Sequence, residues 1–244
     1  MQRYFLEVSY KGTAFSGFQI QDNAITIQSE VTNALQTFYR QPFELVGSSR
    51  TDAGVHALQN FFHFDINETQ SQISNQHLYH LNAIISPDIV LKNIFSVDVD
   101  KHCRFNAQSR EYKYFIYQHK NPFLQPTAWF YPYTLDISML NEAAQLLTSY
   151  TNFQSFSKKN TQVKTFNCSI EYAKWVIEND SLVFNIQANR FLRGMVRSLV
   201  ATMLKVGRKQ ISLNEWKEII EAQDCSRTDF SAPANGLFLI AVNY

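Results

Sequence analysis

Long apolar runs, cysteine pairs and low-complexity segments are all missing from this sequence of 244 residues. The longest apolar run, Leu237 to Val242, is far shorter than the roughly 20 residues that a membrane-spanning helix needs, and the opening residues alternate instead of forming a signal peptide. Cys103, Cys168 and Cys225 are widely spaced and contain no C-x-x-C pair, which argues against a zinc cluster and a disulfide framework. We therefore expect a cytoplasmic protein with reduced thiols.

Glycine and proline are also scarce, at 7 and 6 residues, whereas 45% of the residues are hydrophobic and 14% aromatic. This composition is typical of a compact globular protein with a substantial core. The formal net charge of +1 does not point to a polyanionic partner, but the charges are unevenly distributed. Between Ser181 and Asn214 there is no acidic residue, and the basic residues are Arg190, Arg193, Arg197, Lys205, Arg208 and Lys209. Such clustering indicates either a phosphate-binding surface or a solvated helix face.

The hydrophobic periodicity predicts mixed strands and helices without strict βαβ alternation. This pattern favours an α+β fold with a largely antiparallel sheet. A strand, a long loop and a helix open the chain, and a similar order recurs from about residue 106, so we predict two halves, 1–105 and 106–244. The predicted strands cover 4–10, 62–66, 89–99, 112–118, 168–177, 182–187 and 237–242. Four predicted helices begin near Thr26, Ser74, Asp136 and Ser212, and a fifth covers 191–206.

The predicted helix over 191–206 has an apolar side and a basic side. Leu192, Met195 and Leu199 fall on one side at helical spacing. Arg190, Arg193 and Arg197 recur at i, i+3 and i+7 and would form a basic face on another side. The helix is therefore expected to pack on one face and to offer cations on the other.

One acid stands inside the turn-forming run Arg50-Thr51-Asp52-Ala53-Gly54, just before an aromatic strand. The residue types alone are those of a hairpin turn, with Asp bonding nearby backbone and Gly supplying positive φ. The alternative is a functional carboxylate held at the rim of a cleft. Asp is ionised at neutral pH, so it would be a poor general acid and a credible nucleophile. No second acidic or histidine cluster at ligand spacing accompanies it, although His56 and His63 flank the turn.

The stretch from Arg50 to Ala57 closely resembles the signature around the catalytic aspartate of the TruA-type tRNA pseudouridine synthases. Two nearby positions depart from the family pattern: Ser49 stands where glycine is usual, and Phe18 where tryptophan is usual. Further similarity covers nearly the whole chain, in the blocks 10–13, 17–21, 26–28, 82–89, 104–107, 109–114, 191–197 and 232–237.

The resemblance implies a reaction and a nucleophile. Members of this family isomerise uridine to pseudouridine in tRNA by breaking the bond from C1′ to N1, turning the uracil and joining C1′ to C5. They need no metal and no cofactor, so none is expected here. By resemblance Asp52 is the nucleophile, attacking either the base or the sugar carbon, and both routes need an ionised carboxylate.

The resemblance also assigns substrate-binding roles. Tyr112 matches the aromatic residue that stacks on the target base, Arg197 matches the basic residue of the late block and would pair with Asp52, and Arg50 would fill the space left by the everted base. Without the family match, Tyr112 and Arg197 would be interpreted as an ordinary strand tyrosine and an exposed helix arginine. The candidates for binding RNA phosphates are Arg104, Arg110, Arg190 and Arg193.

At the level of the fold, the resemblance implies two pseudo-symmetric α+β halves that share a central mixed, largely antiparallel sheet flanked by helices. The N-terminal half would carry the catalytic Asp loop, and the C-terminal half the stacking Tyr and the basic helix. The implied partner is the anticodon arm of tRNA, usually modified at nominal positions 38, 39 and 40, and the implied assembly is a homodimer without membrane contact.

Two other functions are compatible with parts of the sequence. One is an RNA-binding homologue that has lost catalysis, against which the intact Asp52, Tyr112 and Arg197 argue. The other is a carboxylate-dependent nucleoside hydrolase, for which the basic cluster would be incidental. A zinc nucleobase deaminase is disfavoured because its H-x-E and P-C-x-x-C elements are missing.

Overall fold

The structure is a computed structural model that describes residues 1–67, 73–159, 161 and 163–244. Its contacts divide the chain into two compact units. Unit 1 contains Met1–Gln108 and Leu239–Tyr244, and unit 2 contains Ser109–Phe238. The predicted duplication into halves 1–105 and 106–244 stays a prediction. No helix in the described part of the chain has both the length and the apolar character to cross a bilayer.

The described residues form nine strands and five α-helices, as the mixed pattern predicted. The strands are β1 (Gln2–Tyr10), β2 (Val46–Gly47), β3 (His56–Ile66), β4 (Ile89–Val97), β5 (Ser109–Tyr117), β6 (Trp129–Phe130), β7 (Ile170–Glu178), β8 (Ser181–Ala188) and β9 (Leu237–Asn243). The helices are α1 (Ile27–Tyr39), α2 (Leu78–Ile84), α3 (Ile137–Leu146), α4 (Met195–Gly207) and α5 (Leu213–Glu221).

In unit 1 the strands form an antiparallel sheet around β1. This strand pairs with β3 on one side and with β4 on the other, β2 pairs with β3, and β9 lies beside β3. Leu6, Val8 and Tyr10 alternate along β1 and are buried, which confirms the predicted strand. The start of β3 and the end of β1 therefore lie side by side, with Tyr10 opposite Ala57.

Both helices of unit 1 begin or end where the sequence predicted. The side chain of Thr26 accepts a hydrogen bond from the Ser29 backbone N–H, and the two residues form a capping box at the start of α1. Helix α2 follows a short 3₁₀ turn that Ser74 caps. It ends at Ile84, ahead of Pro87, whose ring disfavours helical geometry in the preceding residue.

Unit 2 contains a mixed sheet in which antiparallel pairs dominate. Strand β8 pairs antiparallel with both β5 and β7, and β6 pairs parallel with β5. The tight turn between β7 and β8 has positive φ at Asn179 (44°) and Asp180 (62°), as a two-residue hairpin turn requires. The side chains of Asp136 and Ser212 cap α3 and α5, as expected. The α+β class with a mixed, largely antiparallel strand pairing is therefore confirmed.

The prediction of one helix over 191–206 is wrong at its start. Helix α4 begins at Met195, and the residue before it, Gly194, has a φ of 74°, which a helix does not allow. Leu192 is buried and continues the apolar spacing of the helix, so the periodicity ran across the turn. Arg190 and Arg193 precede the helix, and the predicted basic face therefore keeps only Arg197 of its three arginines.

Candidate active site

Asp52 lies in the loop between β2 and β3 of unit 1. The residue itself is half-buried, while its neighbours Thr51 and Val55 are buried. The Val55 backbone N–H donates to the Asp52 carbonyl oxygen at 3.2 Å, and Gly54 has a φ of 80°, so the predicted turn is confirmed. The loop thus keeps the aspartate partly open to solvent on a backbone that is anchored on both sides.

Asn60 of β3 anchors the chain ahead of Asp52. Its side chain is fully buried, accepts from the Ser49 backbone N–H at 3.2 Å, and donates to the Ser49 carbonyl at 2.8 Å and to the Tyr10 hydroxyl at 3.2 Å. The Tyr10 hydroxyl is also hydrogen-bonded to the Thr51 hydroxyl at 2.8 Å, and burial raises the pKa of Tyr10 to about 12. Buried hydrogen-bond networks of this kind restrict the motion of the residues next to Asp52.

Gly12, in the 3₁₀ turn after β1, anchors the chain that follows Asp52. Its backbone N–H donates to Nδ1 of the buried His56 at 3.1 Å. A Cβ at this position would lie 1.9 Å from the Val55 carbonyl oxygen, so any side chain would displace the backbone three residues after the aspartate. Phe18 supports the same loop because its N–H donates to the Thr51 carbonyl at 3.1 Å and its ring stacks on Phe62 at 4.6 Å.

The two other predicted site residues of unit 1 are exposed arginines. Arg50 precedes the aspartate by two residues, where the chain leaves the Asn60 anchor. Arg104 lies with its guanidinium carbon 5.9 Å from the centroid of the exposed Phe105 ring. Both positions leave a cation accessible to a phosphate.

Tyr112 lies on β5 of unit 2, opposite Ile186 of β8. It is only 8% exposed, and the Phe191 ring lies against it edge to face, with centroids 5.0 Å apart. A base would gain a large stacking area on the Tyr112 ring only if Phe191 moved aside. Phe191 belongs to the turn before α4, whose backbone is not tied into the helix.

Arg197 lies on the first turn of α4 and is half-buried. Its Nε donates to the Ala232 carbonyl at 2.7 Å, and the Tyr114 hydroxyl donates to the Pro233 carbonyl at 2.7 Å. Burial raises the pKa of Tyr114, and the positive charge of Arg197 opposes that shift. Unit 2 therefore brings together the three sequence blocks that contain Tyr112, Arg197 and Ala232.

The remaining phosphate candidates of unit 2 lie near the chain between β8 and α4. An Nη atom of Arg110 donates to the Asn189 carbonyl at 2.9 Å, and the carbonyl of the exposed Arg193 accepts from the Lys158 N–H at 3.0 Å. Arg190 is half-buried in the same stretch. The predicted pairing of Arg197 with Asp52 joins residues of different units and stays a prediction.

A histidine and cysteine cluster in unit 1 was missed at the sequence level because its members are distant in the chain. Potential ligand atoms of His63, His102 and Cys103 all lie within 4.8 Å of one another. Both Nδ1 atoms already accept backbone N–H bonds, that of His63 from Cys103 at 3.4 Å and that of His102 from Arg104 at 3.1 Å. The rings thus serve as internal hydrogen-bond acceptors, and the expected absence of a metal stays a prediction.

The buried His63 should make stability depend on pH. Burial, and secondly the positive charge of Arg3, lower the pKa of His63 from 6.5 to about 4. The unfolded chain therefore binds a proton between pH 6.5 and 4 that the folded chain does not, so stability falls as pH drops through this window. Between pH 7 and pH 5 we expect His63 to account for a loss of about 1 to 2 kcal/mol in the free energy of unfolding.

Urea unfolding at the two pH values checks this expectation. A His63→Gln variant should lose less stability on acidification than the unmodified protein, whatever its stability at pH 7. Equal losses in the two proteins would show that His63 is not the group responsible.

Comparison with known proteins bears on all these residues. A sequence model of the tRNA pseudouridine synthase family matches residues 143–244. The chain is 42% identical over its full length to a tRNA pseudouridine synthase A of Parabacteroides distasonis, of which it covers 96%, and 43% identical to one of Bacteroides fragilis, of which it covers 97%. It is 35% identical, over 97% of its length, to one of Staphylococcus aureus, of which it covers 89%.

These likenesses extend over the Asp52 loop, the Tyr112 strand and the Arg197 helix alike, because they span the chain from end to end. The resemblance first seen in short sequence blocks is thereby confirmed. The chain belongs to the tRNA pseudouridine synthase A family.

Proposed function

We propose that this protein isomerises uridine to pseudouridine in the anticodon arm of tRNA, at nominal positions 38 to 40. The reaction breaks the glycosidic C1′–N1 bond, forms a C1′–C5 bond, and exchanges the proton of C5 for one on N1, so it needs no oxidant or reductant. The single observation that supports it most is the anchored loop that keeps the half-buried Asp52 accessible, in a chain of this family.

Asp52 is the proposed nucleophile. Its carboxylate attacks either the base or C1′, and it must be ionised on both routes. The anchors at Asn60 and Gly12 fix the backbone on either side of the aspartate, which supports a role that requires a carboxylate at a set distance from the sugar.

Tyr112, Arg197 and Arg50 complete the proposed site. Eversion of a nucleotide costs a few kcal/mol, and stacking on an aromatic ring returns about 1 to 3 kcal/mol, which is the role proposed for Tyr112. Arg197 pairs with the Asp52 carboxylate, and Arg50 occupies the gap in the RNA stack. Arg104, Arg110, Arg190 and Arg193 contact phosphates.

The proposal also includes the internal symmetry of the chain, its oligomeric state and its location in the cell. The similar order of strand, loop and helix in the two parts of the chain supports two pseudo-symmetric halves. Membership of the family supports a homodimer that grips tRNA and a cytoplasmic location.

Mapping of pseudouridine in tRNA transcripts tests the proposal most directly. Unmodified tRNA transcripts are incubated with and without the protein, and every pseudouridine is located by chemical derivatisation and sequencing. We expect new pseudouridines in the anticodon arm only. An inactive RNA-binding homologue would bind the transcripts and form none, whereas a nucleoside hydrolase would release free uracil. Either result would refute the proposed reaction.

Tyr112 offers a second test. In Tyr112→Phe we expect tRNA binding to persist because the ring remains, and any loss of rate then measures the hydroxyl. In Tyr112→Ala we expect single-turnover isomerisation to slow by about 10- to 100-fold, because stacking worth about 1 to 3 kcal/mol is lost. Thermal unfolding of both variants monitors the packing against Phe191. A Tyr112→Ala protein that is folded and turns over normally would exclude the stacking role.

A further inference from the structure

Unit 2 contains a pocket of ≈ 410 Å³ that none of the predicted site residues lines. Its walls come from the aromatic segment around β6, from the C-terminal end of α4 and from the chain that leads to Ala232. Phe130, Tyr133, Lys205, Arg208, Gln210 and Asp229 are among its lining residues. The volume falls in the range of about 300 to 1,000 Å³ that small-molecule sites occupy.

Arg208 is the most informative side chain of this pocket. Its guanidinium carbon lies over the Tyr133 ring, 3.9 Å from the ring centroid, at cation–π distance. The residue is half-buried, and within the part of the chain that the structure describes no carboxylate lies within ion-pair distance of it. A guanidinium that an aromatic ring holds in place and that has no carboxylate partner can receive an anion on its N–H donors, so it points to an anionic ligand.

The other charges of the pocket leave the positive charge of Arg208 uncompensated. Lys205 Nζ pairs with Asp229 at 3.1 Å, and the other Asp229 carboxylate oxygen accepts from the Ser231 N–H at 2.8 Å. Lys205 and Asp229 therefore neutralise each other, and the pocket carries a net charge of one from Arg208. Phosphate is the anion that a guanidinium fork recognises most readily, apart from carboxylate.

The aromatic wall indicates what accompanies the phosphate. Tyr133 is 47% exposed and Phe130 is 42% exposed, both against the pocket. The Gln118 side chain donates to the Tyr133 carbonyl at 2.6 Å, and the Tyr131 N–H donates to the Tyr117 carbonyl at 2.9 Å, so the wall is fixed to β5 and the residue that follows it. Exposed rings beside a stacked arginine are the elements with which proteins bind unpaired bases.

The position of the pocket connects it with the proposed reaction. Arg208 follows Arg197 by three helical turns, which is about 16 Å along the axis and returns it to the same side of α4. Ser231, at the pocket, immediately precedes Ala232, whose carbonyl Arg197 contacts.

We propose that this pocket binds one unpaired nucleotide of the tRNA, with its phosphate on Arg208 and its base against Tyr133 and Phe130. This inference rests on the proposed function, because it assumes that tRNA is the substrate. The pocket would bind the RNA at a distance from the reacting uridine. It should therefore affect the affinity for tRNA and leave the rate of the chemical step unchanged.

Variants of neighbouring cations test the pocket. Arg208→Ala should weaken tRNA binding by about tenfold or more and lower the slope of log affinity against log salt by about one, because one charged contact is lost. Lys209→Ala is the matched control: Lys209 pairs with Asp136 at 3.1 Å, does not line the pocket, and its removal changes the net charge equally. We expect its affinity to stay within about twofold.

Tyr133→Leu tests the contact with the base independently of the contact with the phosphate. It should weaken binding while leaving the salt slope unchanged, and the single-turnover rate at saturating tRNA should be normal in both pocket variants. Equal effects of Arg208→Ala and Lys209→Ala, or no effect of either, would overturn the proposal, and so would a loss of affinity for uridine monophosphate without a loss for tRNA. Failure of the proposed function is distinct, because the unmodified protein would then form no pseudouridine at all.

Discussion

An Asp52→Asn protein should fold, bind tRNA and form no pseudouridine. The amide is nearly isosteric with the carboxylate, and the hydrogen bond that closes the turn uses the Asp52 backbone carbonyl, which the substitution keeps. What is lost is the negative charge that both routes of attack need. We expect the rate to fall by at least about 10³-fold, as in other enzymes that lose a nucleophile.

Single-turnover conversion of a tRNA transcript measures this loss, and filter binding measures the affinity. Asp98→Asn is the matched control, because Asp98 is an exposed aspartate of unit 1 outside the loop, and the substitution removes the same charge. A folded Asp52→Asn protein that retained appreciable turnover would remove the aspartate from its role as nucleophile.

Substitution of Gly12 should also impair the reaction strongly, although this residue makes no proposed contact with RNA. In Gly12→Ala the new Cβ would lie 1.9 Å from the Val55 carbonyl oxygen, so the two backbones must separate by more than 1 Å. The Val55 N–H is hydrogen-bonded to the Asp52 carbonyl oxygen, and the backbone displacement should therefore reach the Asp52 carboxylate. A shift of this size at a reacting group costs about 10²-fold in rate.

The experiment compares single-turnover rates, tRNA affinity and thermal stability of Gly12→Ala with those of Thr13→Ala. Thr13 is exposed in the same turn, so its truncation creates no clash. We expect Gly12→Ala to lose about 1 to 3 kcal/mol of stability through overpacking, with affinity for tRNA largely kept. Full activity in a folded Gly12→Ala protein would show that the loop can shift without moving the aspartate out of position.

The elements of the fold that could be predicted are those with local signals. Three helix starts were predicted from their capping residues, Thr26, Asp136 and Ser212. Such a signal is local because a capping side chain accepts a hydrogen bond from the backbone only two or three residues ahead. The start of α4 was wrong because apolar spacing extends past Gly194, and spacing does not report the sign of φ. Periodicity therefore located the helix and missed its boundary.

In the candidate site, too, only the features with a local sequence signal could be predicted. Its aspartate and turn were evident in a short run of sequence, and the resemblance to a known family extended this to Tyr112 and Arg197. The supports of the loop were not predictable, because Asn60, Tyr10 and Gly12 act through contacts between residues far apart in the chain. For the same reason the histidine cluster and the Arg208 pocket emerged only from the three-dimensional structure.

Residues 239–244 belong to unit 1, although the whole of unit 2 separates them from its other residues in sequence. The Val242 N–H bonds the Gln59 side chain, and the Tyr244 hydroxyl bonds the Cys103 carbonyl at 2.6 Å. During synthesis, β1, β3 and β4 can pair once they have emerged, whereas the contacts of residues 239–244 with Gln59 and Cys103 form only after unit 2 has been synthesised. Unit 1 is therefore completed last, although its first strands are the first to be synthesised.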